Sequence, residues 1–82
     1  MIMVFGLNGK HEEERELVRS FAQKTFDFDV KAKAVYSNKH NLKGFEIYEL
    51  GKNSLKAYVD LLEKKVTFYN RKKVVKVESL ED

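Results

Sequence analysis

The chain contains no cysteine, which excludes a disulfide framework and any thiolate metal site. It has no long apolar run. The longest opening stretch, Met1 to Leu7, stops at Asn8-Gly9-Lys10 and is too short for a transmembrane helix or a complete signal peptide. With no export signal and no cysteine, the expected address is the cytoplasm. Charge of one sign is not in large excess either: 16 basic and 13 acidic residues leave a net +3, which permits an anionic partner without demanding one. At 82 residues there is too little chain for a second core, so residues 1–82 are expected to form a single α+β domain. What is present suits folding: 43% of the residues are apolar and 35% charged, outside the composition of a disordered segment.

Apolar periodicity divides the chain. Met1 to Leu7 reads as a buried strand ended by Gly6, Asn8 and Gly9. From Lys10 to Phe26, Leu17, Val18, Phe21, Ala22 and Phe26 recur at helical spacing, and Glu12, Glu13, Glu14 and Glu16 crowd the first turns, where carboxylates oppose the helix dipole. Asn8 or Gly9 is the expected cap. Phe28, Val30, Ala32, Ala34 and Tyr36 alternate with mostly polar neighbours, the period of a strand with one wet face. A polar turn over residues 37–41 leads to a third strand ending at Leu50, so a hairpin is expected. The next segment fits two periods. Leu55, Tyr58, Val59, Leu62 and Val66 form a helical stripe with Ser54 as cap, while Leu55, Ala57, Val59 and Leu61 alternate as a strand. Propensity favours the helix over residues 55–65. Two further β-rich runs, Val66 to Tyr69 and Val74 to Glu78, flank Asn70-Arg71-Lys72-Lys73 and predict a closing hairpin or a bent last strand. With the helix, the order is a ferredoxin-like βαββαβ, an antiparallel sheet with both helices on one face; with the strand, it is a βα unit followed by an antiparallel meander.

Motifs for chemistry are sparse. Gly6-Leu7-Asn8-Gly9-Lys10 lies between a strand and a helix, but it is too short for a phosphate-binding loop and three glutamates follow. His11 and Glu14 stand one helical turn apart without a third ligand. His11 and His40 are an acid and base only if the fold joins them. Asp27-Phe28-Asp29 reads as a turn. The reading is therefore non-enzymatic, with no metal and no cofactor. Charge is more informative. From Lys52 to Lys76 there are eight basic residues against Asp60 and Glu63, whereas the rest of the chain has eight against eleven acidic ones. Lys31 and Lys33 extend the basic set on the wet face of the second strand. Such asymmetry fits a surface that gains affinity by releasing counterions from phosphates. It equally fits a solubilising surface, since lysines at hairpin tips and strand edges prevent aggregation.

Lys43-Gly44-Phe45-Glu46-Ile47-Tyr48-Glu49-Leu50 resembles the longer signature of the RNA-recognition motif family, and Val4-Phe5-Gly6-Leu7-Asn8 is similar to its shorter one. The family's fold is the ferredoxin-like arrangement, so the resemblance spans nearly the whole chain. It implies that Phe5 and Phe45 stack on unpaired bases and that Lys43 meets a phosphate. Glu46 and Ile47 depart from the signature. In the family register Glu46 points toward the helices, where a lone carboxylate is costly; in the opposite register Phe45 and Ile47 enter the core and Glu46 meets water. The expected partner is single-stranded RNA or DNA, stacked on Phe5 and Phe45 and tracked by Lys31, Lys33, Lys43, Arg71, Lys72 and Lys73. The alternative is a protein partner docking at a sheet edge.

Overall fold

The computed structural model of the protein describes residues 2–39 and 41–80. Strand β1 (Val4–Phe5) leads into helix α1 (Glu12–Thr25), and β2 (Val30–Tyr36), β3 (Leu42–Glu49), β4 (Ser54–Asp60), β5 (Lys65–Asn70) and β6 (Lys73–Ser79) follow. The six strands form one sheet in sequence order, β1 parallel to β2 and every later neighbour antiparallel. The chain is thus α+β, with α1 as the crossover of a βαβ unit and a meander behind it. The sheet is mixed, which the expectation of a purely antiparallel sheet missed at β1.

Helix α1 presents Val18 and Ala22 to the sheet, both fully buried. Phe21 and Phe26 pack edge to face at the helix end, with ring centroids 6.1 Å apart, and Phe26 reaches Phe28 and Phe68. Leu17, expected on the buried stripe, is 41% exposed. The N-cap is His11, not Asn8 or Gly9. It sits in the left-handed region at φ 68 and makes no side-chain cap bond. Glu12, Glu13 and Glu14 fill the first turn and offset the positive end of the dipole instead.

The expected helix over 55–65 is replaced by β4 and a turn. Leucine, lysine and alanine favour a helix by only tenths of a kcal/mol each, and tertiary pairing outweighs that. Phe45 and Ile47 of β3 pair with Val59 and Ala57, which pair in turn with Val66 and Phe68 of β5. These residues form the centre of the core. Asp60 ends the strand, its Oδ1 accepting the N–H groups of Leu62 and Glu63 at 3.0 Å each. Among the described residues α1 is the one helix, so the second helix of the βαββαβ arrangement is absent and the meander alternative describes the chain.

Phe45 settles the register. Its ring is fully buried beside Ile47, with the Arg15 guanidinium 5.3 Å above its centroid. Arg15 is itself buried; it donates to the carbonyls of Lys10 and Gly6 and so binds the β1–α1 loop to the helix. The side of the sheet away from α1 consequently carries Lys31, Lys33, Glu46, Tyr48 and Tyr58. Gly44 belongs to this packing: a Cβ there would collide with the Val59 carbonyl and the Tyr58 ring.

Truncating Phe45 to alanine should cost about 3–5 kcal/mol, because it opens a cavity under Arg15. Phe5→Ala should cost far less, since that ring is 43% exposed. Urea unfolding of the two variants checks the difference.

Candidate nucleic-acid interface

The face of the sheet opposite α1 is built by alternation. Successive pairings join Phe5 to Lys31, Lys31 to Tyr48 and Tyr48 to Leu55, making one row across four strands. At a strand spacing of about 4.8 Å the row spans about 14 Å. The next row runs Lys33, Glu46, Tyr58, Thr67 and Val77. An irregularity in β4 puts Leu55 here: Ile47 pairs with Ala57 but Tyr48 with Leu55, so Lys56 is the extra residue of a bulge, and the strict alternation read from the sequence fails.

Pairing between β4 and β5 runs from Asp60–Lys65 up to Ala57–Phe68. Beyond it, a cleft of about 640 Å³ opens between the β3–β4 and β5–β6 turns, lined by Tyr48, Glu49, Lys52, Leu55, Lys56, Arg71 and Lys72 among others. Lys52 and Lys56 lie 3.3 and 3.6 Å from the Glu49 carboxylate. Arg71 and Lys72 are the two central residues of a turn closed by the Asn70–Lys73 pair, at φ 54 and 68. Such turns favour Asn-Gly. For side chains with a Cβ this conformation costs about 1–2 kcal/mol per residue, and the cations stand there nonetheless.

The residues expected to bind are divided by the fold. Lys31 and Lys33 are exposed on the open face, Phe5 flanks Lys31, and Arg71, Lys72 and Lys73 gather at the tip of the last hairpin. Phe45 is the correction: it is enclosed in the core, so it offers no face to a base. Lys43 is exposed but lies at the other end of β3 from the cleft. It is the unpaired residue where the register shifts between the Val35–Gly44 and Tyr36–Leu42 pairs. Gly44, read as part of the RNA-binding signature, is required by Tyr58 and the β4 backbone. His40 lies outside the described residues, so the His11–His40 pair does too. Among the described residues no group of three or more His, Asp or Glu could hold a metal, and no helix is long and apolar enough to cross a membrane.

Neither Tyr48 nor Tyr58 is among the binding residues expected from the sequence, where Tyr58 stands only on the helical stripe. The signal was available: each neighbours a core residue on its strand, Ile47 and Val59, and so faces the opposite side once the register is known. Burial, followed by the Glu46 hydrogen bond and charge, raises the Tyr48 pKa. Burial, followed by Asp60, Glu46 and Tyr69, raises that of Tyr58. The Tyr58 hydroxyl is buried and makes no hydrogen bond. No protein-family model matches the chain, no curated protein matches it, and no solved structure matches it.

Two outcomes follow from this geometry. Exchanging Arg71-Lys72 for Asn-Gly should raise stability by about 1–2 kcal/mol, read as a higher urea midpoint, because the turn loses its strain. The raised tyrosine pKa values mean that the unfolded chain gives up its protons first, at about 10. The tyrosine contribution to stability should therefore be fully present below about pH 10 and fall above it. Tyr58→Phe should be neutral or stabilising at pH 7 and should reduce the alkaline fall in thermal melts, because it removes a buried unpaired hydroxyl.

Proposed function

We propose that the protein is a small non-enzymatic binding module of the cytoplasm that holds single-stranded RNA or DNA on the open face of its sheet. The observation carrying this reading is the cross-strand row Phe5, Lys31, Tyr48, Leu55, which alternates ring, cation and ring and runs toward the basic cleft. Unpaired bases stack on rings whatever their identity; here the exposed Phe5 and the half-buried Tyr48 offer them, while Lys31, with Lys33 in the next row, meets the phosphates between. Tyr48 takes the stacking part that the family signature assigned to Phe45, so the reading rests on the open face and no longer on Phe45. Glu46 and Asp60 keep the face from being uniformly positive and favour a bound strand along the Lys31 side and the hairpin tip.

A second reading has its own observation. Val74, Val75 and Val77 are each more than half exposed on β6, an edge strand that a partner's extended segment can extend by backbone pairing. Salt separates the two, because counterion release weakens nucleic-acid binding steeply while apolar strand addition hardly responds.

Fluorescence anisotropy with labelled single-stranded RNA and DNA at low and high salt tests the proposal. Binding should weaken as salt rises. Tyr48→Ala should cost roughly tenfold or more in affinity, as expected for about 1–3 kcal/mol of stacking per base. Lys31→Glu/Lys33→Glu should weaken binding to all sequences alike. Absence of binding at low salt overturns the reading and leaves the β6 edge.

A further inference from the structure

We propose that the cleft between the β3–β4 and β5–β6 turns seats a terminal phosphate monoester, with the adjoining base over Tyr48. The inference rests on the nucleic-acid reading and names the chemistry at one end of that surface.

Charge is the first argument. Lys52, Lys56, Arg71 and Lys72 converge on a recess that holds one carboxylate, Glu49. An internal phosphodiester carries a single negative charge, whereas a monoester carries about −1.5 to −2 at neutral pH, which matches the surplus better. Glu49 supplies the second argument, because its oxygens already bridge Lys52 and Lys56 at 3.3 and 3.6 Å. The carboxylate thereby holds both ammonium groups at the wall of the cleft, Lys56 also lying over the Phe28 ring; Lys52, 70% exposed, makes the solvated pair that a phosphate oxygen can join or replace. Shape is the third. At about 640 Å³ the recess falls in the range of a small-ligand site. It begins where Tyr48 and Leu55 end the row that crosses the open face, so a strand lying on that row runs its terminus into the cleft. Arg71 has a planar fork able to hold two phosphate oxygens at once, and its backbone is fixed by the tight turn at φ 54.

The same monoester belongs to a free nucleotide or to the end of a strand, and the experiment separates them. Anisotropy is measured with otherwise identical single strands ending in a 5′-phosphate, a 3′-phosphate or hydroxyls only, with adenosine monophosphate as competitor. One of the phosphorylated strands should bind roughly tenfold tighter than the hydroxyl-ended strand, the size of one added charge-assisted contact. That preference should vanish in Arg71→Gln/Lys72→Gln and in the Asn-Gly turn variant, which keeps the hairpin without either cation. Equal binding of all three strands overturns the inference and leaves the nucleic-acid reading standing. If no strand binds but the mononucleotide does, and the turn variants lose it, the seat stands as a nucleotide site and the strand reading falls. If nothing binds, both fall.

Discussion

The fold depends on which side of β3 the Phe45 ring occupies. With that ring under α1 and the Arg15 guanidinium above it, the pleat sends Ile47 inward and Glu46 and Tyr48 outward. Hydrogen-bond pairing then transmits the choice sideways: Val59 and Ala57 are drawn into the core beside Phe45 and Ile47, and Val66 and Phe68 beside them. A shift of one residue would bury Glu46 and expose an apolar row, so the arrangement is strongly specified. Arg15 ties the same ring to the β1–α1 loop, because its donors satisfy two backbone carbonyls that the turn leaves open.

Much of this was legible in the chain, and the misses have physical causes. Helix α1 and strands β2 and β3 follow directly from the spacing of Val18 and Ala22, of Val30 and Ala32, and of Phe45 and Ile47. Residues 55–65 were misread because Leu55, Lys56, Leu61 and Lys64 carry helix propensity, while the strand's support comes from partners distant in sequence. The bulge at Lys56 hid the strand period further by moving Leu55 to the opposite face from Ala57. The basic hairpin tip was readable from charge alone. Its companionship with Lys52 and Tyr48 was not, since it depends on where β4 and β5 stop pairing.

Structure and charge divide the molecule in complementary ways. The layer beneath α1 is apolar and closed by aromatic contacts among Phe21, Phe26, Phe28 and Phe68, and lysines reach over its rim: Lys56 lies 6.0 Å from the Phe28 ring centroid and Lys76 4.8 Å from that of Phe68. The opposite layer has no cover from any described element, and its Tyr48 and Tyr58 are half-buried. Turn strain and the excess of cations coincide at Arg71 and Lys72, where stability alone would select smaller residues.

The parallel pairing of β1 with β2 is only two residues long, yet it is backed by the Val30 N–H donating to the Met3 carbonyl and the Met3 N–H donating to the Asp29 carboxylate. The meander of β2 to β6 forms from neighbours in the chain, whereas β1 must await the whole helix before it finds its place. Loop closure makes it a late arrival in folding and an early departure in fraying. Each release of β1 frees the far end of the Arg15 clasp and bares the edge of β2 that faced it, so the amide of Val30, which points at Met3, should trade hydrogen for deuterium sooner than that of its neighbour Lys31, which points at β3.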